Sequence, residues 1–289
     1  MKIIVCVKQV PSSSDVKMDK ETNTIIREGI EAVINPFDTY AIEEALKIKD
    51  RTFGTVTAIS MGIIKVSEML KEVMELGVDS TVLLSDRAFA GADSLATAYT
   101  LSMAIKKINE YDLIICGKQA TDGDTAQAAP SLAEKLGIPH TTNVNSIEEI
   151  TEKKIICSRA TDSGYERLEI QLPAVITVVK DINVPRLPSI KSINQCLDKK
   201  VKIWNAVAIK ADMNKIGLKG SPTQVVKTFI PNYNMESELF TGTPELQAQK
   251  LVNRLFSIEE FTMVFDLGSR IKPIETSTSR KQEVHYGKY

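Results

Sequence analysis

The stretch "YDLIICGKQATDGDTAQAAPSLAEKLGIP", residues 111–139, decides the fold. "DLIICGKQ" (112–119) is a short apolar run bounded by turn signals, the pattern of a buried strand. "TAQAAPSLAEKLG" (125–137) is amphipathic and reads as a helix, with Pro130 either in its first turn or kinking it. Asp124 suits the N-cap, where its bond contributes ~1 kcal/mol. The first amides of a helix have no partner within it and can cradle phosphate oxygens. Here those donors lie around Thr125, Ala126 and Gln127, and Gly123 allows a tight turn or the close approach of a ligand. Carboxylates repel phosphate, but as a cap or as acceptors from ribose hydroxyls they need not face it. The same residues also suit an ordinary capped helix with no ligand, and neither G-x-G-x-x-G nor G-x-x-x-x-G-K-[ST] occurs in the chain.

Moving outward from this junction, strands and helices alternate. "KIIVCVKQV" (2–10), "GTVTAISMG" (54–62) and "STVLLSD" (80–86) read as buried strands. "FDTYAIEEALKIKD" (37–50) sets Tyr40, Ala41, Ala45 and Ile48 at helical spacing. "IIKVSEMLKEVMELG" (63–77) repeats Val66, Met69, Leu70 and Val73 on one face and stops at Gly77. "GADSLATAYTLSMAIKKINEY" (91–111) is a further helix, with Asp93 or Ser94 to cap it. "VKMDKETNTIIREGIEAVIN" (16–35) suggests a hairpin-like excursion centred on "DKETN". This alternation predicts an α/β fold with a doubly wound, mostly parallel sheet covered on both faces by helices. Ligands of such sheets bind beyond the carboxyl ends of the strands, near the point where strand order reverses. "VKQVP" (7–11), "SMG" (60–62), "SDRAFAGAD" (85–93) and "GKQATDGDT" (117–125) all fall at that end.

After about residue 140 the pattern changes. "KKIICSRATDSGYERLEIQL" (153–172) reads as two strands joined through "TDSGY", and "PAVITVVKD" (173–181) as another buried strand. "VPRLPSIKSINQCLDKK" (184–200) is a proline-bracketed loop leading into a short helix. Beyond it, "GSPTQVVKTFIPN" (220–232) is extended and "PELQAQKLVNRLFS" (244–257) is one helix. The polar end, 271–289, suggests an arm that depends on a partner, or a disordered tail. We expect an α/β domain over 1–196 and a C-terminal extension over 197–289. No internal repeat is found.

Composition narrows the chemistry. The 289 residues carry 36 Lys and Arg against 37 Asp and Glu, a net charge of −1, so nothing favours nucleic acid or an anionic membrane surface as partner. No segment approaches the ~20 apolar residues of a membrane span, and "MKIIVCVKQV" reads as a first strand rather than a signal peptide. Cys6, Cys116, Cys157 and Cys196 lie far apart without metal-ligand spacing, so a reduced, cytoplasmic protein with no bound metal is expected. Two histidines, His140 and His285, leave the chain poorly equipped for covalent or acid–base catalysis of its own. Redox chemistry here requires a bound cofactor.

"DLIICGKQATDGDTAQAAPSLAEKLGIP" resembles the nucleotide-binding segment of electron-transfer flavoprotein beta (small) subunits. "MKIIVCVKQVP" and "INPFDTYAIEEALKIKD" share the likeness. So does "SRATDSGYERLEIQLPAVITV", matched at Arg159, Asp162, Gly164, Glu166, Leu168, Pro173, Val175, Ile176 and Thr177. "VPRLPSIKSI" and "GSPTQVVKTF" continue it, so that it covers roughly residues 1–256. The family implies a Rossmann-like, adenine-nucleotide-binding fold whose C-terminal arm packs on a larger, FAD-carrying alpha subunit. The beta subunit's own nucleotide is AMP in ordinary members. In electron-bifurcating members it is FAD, reduced by NADH, with electrons passing to ferredoxin or flavodoxin and, through the alpha-subunit FAD, to an acyl-CoA-type or other flavin dehydrogenase. "DGDTAQ", "NPFDTYA" and "SDRAFAGADSLATA" are most similar to the bifurcating type.

Carried over residue by residue, the resemblance implies adenosine and ribose contacts at Cys6, Val7, Lys8, Asn35 and Asp38. It places Met61 and Gly62 on the adenine or sugar side and Gly117 at the strand end. Asp122, Gly123, Asp124, Thr125 and Gln127 form the ribose-diphosphate cradle, and small Ala126 leaves it room. From the residues alone, Cys6 and Val7 suit plain strand core, Lys8 a solvated strand end, Asp38 a helix cap, and Asp93 a cap rather than a ligand. Ala129 stands where the family usually has glycine. "PRLPSIKSINQCLDKK" matches the segment that docks dehydrogenases, with Pro188, Ile190 and Ile193 as candidate contacts. Ile190 replaces the usual leucine anchor, and the family's lysine run is thinned to Lys199 and Lys200. A freestanding nucleotide-binding module is a remote third possibility, since it would need no long C-terminal arm.

Overall fold

A computed structural model describes residues 1–12, 32–226 and 237–258. The chain divides into two compact units, Met1–Phe229 and Ile230–Tyr289.

The first unit opens with β1 (Lys2–Cys6), followed by β2 (Gln9–Pro11) and β3 (Ala32–Ile34), which pair antiparallel as a small separate ladder. β3 is the end of the excursion expected over 16–35, whose centre, "DKETN", lies outside the described residues, and β2 takes the end of the stretch expected as one strand over 2–10. Then come α1 (Pro36–Thr52), β4 (Thr55–Met61), α2 (Val66–Glu75), β5 (Ser80–Leu84), α3 (Ser94–Ile108), β6 (Leu113–Gly117) and α4 (Ala128–Leu136). β7 (His140–Ile150), β8 (Lys154–Thr161) and β9 (Gly164–Gln171) form an antiparallel meander before β10 (Ala174–Val178), α5 (Ile190–Cys196) and β11 (Lys202–Trp204).

Nine strands make one sheet in the order β11-β5-β4-β1-β6-β10-β7-β8-β9, with every pairing from β11 to β7 parallel. The chain runs outward from β1 through β4 to β5, then crosses back to lay β6 on the other side of β1. Strand order therefore reverses at the β1–β6 pair. The fold is α/β with a large, mostly parallel sheet flanked by helices, as the alternation predicts.

Burial explains the unbroken apolar run of β1. Ile3, Val5 and Val7 pack in a core with α1 and α2, while Ile4 packs in a second core with α3 and α4 on the other face. Successive side chains of a strand point to opposite faces, so a strand covered on both sides needs apolar residues at every position. Asp93 caps α3, its Oδ1 accepting from the Ala96 N–H at 3.0 Å. Gly77 follows the end of α2, where its N–H bonds to the Met74 carbonyl at 2.9 Å.

Two strands escape the sequence pattern. β7 carries its apolar residues at Val144, Ile147 and Ile150, a spacing of three that fits no strand template. Its pairing with β8 shifts register twice, between Val144/Ser146 and between Ile147/Glu149. Each such irregularity inserts an extra residue and breaks the period of two. β11 is only three residues long, yet it pairs parallel with β5. The first compact unit thus continues beyond residue 196. The segment after β11 buries Ala206, Ile209 and Ile216 in the α3–α4 core. It is then tied back by the Leu218 N–H to the Ala90 carbonyl at 2.9 Å and by the Thr223 hydroxyl to Asp93 Oδ2 at 2.8 Å.

In the second unit, α6 (Pro244–Phe256) is capped by Thr243, and Arg254 pairs with Glu238 at 3.0 Å. Residues 259–289, with the polar end of the chain, lie outside the described residues.

Candidate functional site

Strand order reverses between β1 and β6, the place where sheets of this kind offer a binding crevice, and three segments converge there: Lys8 after β1, the start of α1, and the loop between β6 and α4. Asn35 ties them together. Its N–H donates to the Lys8 carbonyl at 2.9 Å, its Nδ2 donates to the Gln119 carbonyl at 2.8 Å, and its Oδ1 accepts from the Thr121 N–H at 3.2 Å. Asn35 is fully buried, so this side chain is committed to holding the loop.

Asp38, in the first turn of α1, accepts from the Lys8 N–H at 2.8 Å and is also buried. Burial pushes its carboxyl up to about 7, against the lowering effect of the Lys8 amide. Lys8 itself is exposed, and its Nζ meets Asp122 Oδ1 at 2.6 Å across the crevice. Gly117 has a steric reason that the sequence does not reveal. A Cβ there would lie 2.4 Å from Asp38 Oδ1 and 2.6 Å from the Phe37 carbonyl carbon, so glycine lets α1 sit directly against the end of β6. Val7 is core, with its N–H on the Ile59 carbonyl at 2.9 Å. Met61 and Gly62 end β4 on the same edge of the sheet, where the Gly62 N–H donates to the Leu84 carbonyl at 3.0 Å.

The loop corrects one expectation. Asp124 is not the N-cap of α4, because the helix begins at Ala128 and Gln127 holds the cap position without a side-chain bond. Residues 120–124 are spent on a turn closed by the Asp124 N–H on the Ala120 carbonyl at 2.8 Å, which delays the helix by about a turn. Asp124 stands at φ +52° and accepts instead from Gln119 Nε2. Ala126 stands at φ +53°, giving two non-glycine residues in the left-handed region within three positions. Such conformations are costly and concentrate at ligand clamps. Residues of alternating backbone hand are also the building unit of anion-binding nests.

Among the described residues, the N–H groups of Thr125, Ala126 and Gln127 have no hydrogen-bond partner. The Thr125 hydroxyl lies 3.2 Å from that of Ser94 at the start of α3, a neighbour the sequence does not flag. Gly123 has no heavy atom within 4 Å of where a Cβ would stand, so its space is open. Ala129, the departure from the family, turns its methyl into the α3–α4 core, away from the loop. Amides that have no partner among the described residues, next to open space at Gly123, are the kind of donors that can take a phosphate group.

The docking candidates lie elsewhere. Ser189 and Ser192 form a reciprocal capping box at the start of α5, which packs against α2. Pro188 and Ile190 are exposed and Ile193 is half-buried. The loop before them is fixed by two buried acids of α1 that pattern reading passes over. Arg186 forks onto Glu43 through Nε at 2.8 Å and Nη2 at 3.1 Å, and Asn183 Nδ2 reaches Glu44 Oε2 at 2.9 Å. The signal available in the sequence was Glu43-Glu44 on the otherwise apolar face of α1.

Fold and crevice together define a doubly wound α/β protein with its site at the switch point of a parallel sheet. Residues 22–208 match the electron transfer flavoprotein domain. The electron transfer flavoprotein subunit beta of Thermoanaerobacterium thermosaccharolyticum is 48% identical over 258 residues, 89% of this chain and 98% of the relative. Subunit CarD of the caffeyl-CoA reductase-Etf complex of Acetobacterium woodii is 44% identical over 257 residues, 88% and 98%. The acryloyl-CoA reductase electron transfer subunit gamma of Anaerotignum propionicum is 39% identical over 262 residues, 88% and 98%. The chain belongs to the electron transfer flavoprotein family, among its beta subunits.

Proposed function

We propose that this beta subunit pairs with an FAD-carrying alpha subunit and itself holds FAD rather than AMP in the β1–β6 crevice, as part of an electron-bifurcating flavoprotein. The observation that carries the reading is the 121–127 loop, with Asp124 and Ala126 in the left-handed region, amides at 125–127 that have no partner among the described residues, and the open space at Gly123. A diphosphate needs several donors in a row and room for the group beyond it, and both are present. In this reading Thr125, Ala126 and Gln127 donate from the backbone, and Lys8 supplies the positive charge. Asp122 accepts from ribose, while Asn35 and Asp38 position the loop and the β1 end rather than touching phosphate. FAD bound there would supply the two-electron chemistry with NADH and the single-electron transfers, to a low-potential acceptor such as ferredoxin or flavodoxin and to the alpha-subunit FAD, that bifurcation requires.

The electron acceptor on the alpha side is a flavin dehydrogenase of the acyl-CoA class. Two of the relatives are named for caffeyl-CoA and acryloyl-CoA reductases, which supports this choice. Ile190 and its neighbours on α5 form the docking surface, and the chain beyond Phe229 is the arm that packs on the alpha subunit. No helix among the described residues is long and apolar enough to cross a membrane.

Flavin stoichiometry tests the reading. The purified alpha–beta pair should contain two FAD, and NADH should bleach their absorbance. One FAD with one AMP, and no bleaching by NADH, refutes it in favour of a non-bifurcating carrier.

A further inference from the structure

Cys6 and Cys116 lie side by side in the register of the parallel β1–β6 pair, at the carboxyl ends that floor the crevice. Both belong to the face covered by α3 and α4, so the two side chains leave the sheet on the same side. Cys6 is half-buried and Cys116 is buried. The remaining cysteines are engaged elsewhere. Cys157 packs in the core on the other face, and Cys196 donates its thiol to the Met74 carbonyl at 3.0 Å. Among the described residues, no group of three histidine, cysteine or acidic side chains is placed to hold a metal, so the pair is not part of a ligand set.

Neighbouring strands run about 4.8 Å apart. That lies inside the Cα separation of about 4.4–6.8 Å that a disulfide spans, while the relaxed Cβ separation of about 3.8 Å is shorter than two parallel side chains on adjacent strands provide. A bond between them can form without moving the backbone far. It would carry strain, and strained disulfides are the readily reduced ones.

We propose that Cys6 and Cys116 are a reversible dithiol–disulfide couple on the floor of the crevice, with Cys6 the first thiol to meet a peroxide-class oxidant. The Cys6 thiolate attacks one peroxide oxygen, the O–O bond breaks, and water leaves a sulfenic acid on Cys6. The Cys116 sulfur then displaces the hydroxyl from the Cys6 sulfur, forming the S–S bond and releasing a second water. Two thiols lose two electrons and two protons, and one hydrogen peroxide becomes two waters. The neighbouring Cys6 side chain and burial push the Cys116 thiol up, and Cys6, the less buried of the two, is the thiol an oxidant reaches first. Closing this bond pulls the two Cβ atoms together at the carboxyl ends of β1 and β6, two residues before Lys8, and is expected to weaken nucleotide binding there. The consequence for nucleotide binding rests on the function proposed above; formation of the couple does not.

The full chain, reduced and then given one equivalent of hydrogen peroxide, should lose the mass of two hydrogens. Its non-reducing peptide map should show a Cys6–Cys116 link that dithiothreitol removes. Cys6→Ser and Cys116→Ala should each abolish the link, and Cys157→Ser and Cys196→Ser should not. An unlinked Cys6 sulfenic acid trapped by dimedone in the unaltered chain overturns the proposal, as does a link through Cys157 or Cys196, or no loss of mass. FAD and AMP titrations of the reduced and oxidised chain then test the consequence, with at least tenfold weaker binding expected after oxidation. Equal binding in both forms overturns the consequence alone. A reduced chain that binds neither FAD nor AMP speaks against the proposed nucleotide, while the mapped link still decides the couple.

Discussion

Asp38 stands where β1, α1 and β6 meet, and its environment sets a pH dependence. Its carboxyl titrates at about 7 in the folded protein, above the ordinary 3.8, because burial disfavours the charged form. The folded state therefore binds more protons than the unfolded one between those values. The stability that Asp38 contributes is present at acid pH and is lost as pH rises through about 7. Its share of the unfolding free energy should fall by up to about 1.4 kcal/mol per pH unit across that window. Urea unfolding of Asp38→Asn from pH 4 to 8 should lack this component, and a slope identical to that of the unaltered chain would contradict the assignment. Gly117→Ala belongs to the same contact. With its methyl 2.4 Å from Asp38 Oδ1 and 2.6 Å from the Phe37 backbone, α1 must shift. A loss of about 1–3 kcal/mol is expected in the same unfolding assay. Asp124 shows the limit of reading a residue from its neighbours. Capping chemistry and turn chemistry use the same aspartate, and only the delay of α4 to Ala128 separates them.

At the scale of elements, the segment before α5 is held by charge as well as by the packing of Ile182 on the core. Exposed ion pairs contribute little, but Glu43 is buried and gives Arg186 a forked partner. Glu43→Gln keeps the shape and removes the charge. It should release the loop, raising tryptic cleavage after Arg186 several-fold while the sheet core stays folded, as followed by mass spectrometry. Ser189→Ala removes the bond that Ser189 Oγ accepts from the Ser192 N–H, leaves the reciprocal bond from the Ser189 N–H to Ser192 Oγ, and should cost about 1 kcal/mol of local stability, read as faster amide exchange over 190–196. Most elements were legible because their periods are regular: β1, β4, β5, β6 and β10 as short apolar runs, α1 to α4 as amphipathic stretches. β7 was not, since two register shifts turned its period of two into a spacing of three. β11 was not, since three residues carry no period.

For the whole molecule, the boundary between the units follows burial rather than composition. The chain past β11 looks unpatterned, yet it buries Ile209 and Ile216, each worth roughly 1.5–3 kcal/mol. A chain ending at residue 196 should therefore unfold at markedly lower urea than one ending at 229, and equal midpoints would remove this segment from the core. The sequence by itself determined the alternation of strand and helix, the covered two-faced sheet, the family, and the stretch that forms the loop at the switch point. Each is written in local periodicity or in contiguous motifs. Only the tertiary structure decided that Asn35 is committed to Gln119 and Thr121, that Gly117 serves the approach of α1, and that Glu43 anchors Arg186. It also decided that Cys6 and Cys116 are neighbours. These are contacts between residues far apart in the chain. They depend on strand order and on the space left when helices close over the sheet, and no local pattern records either.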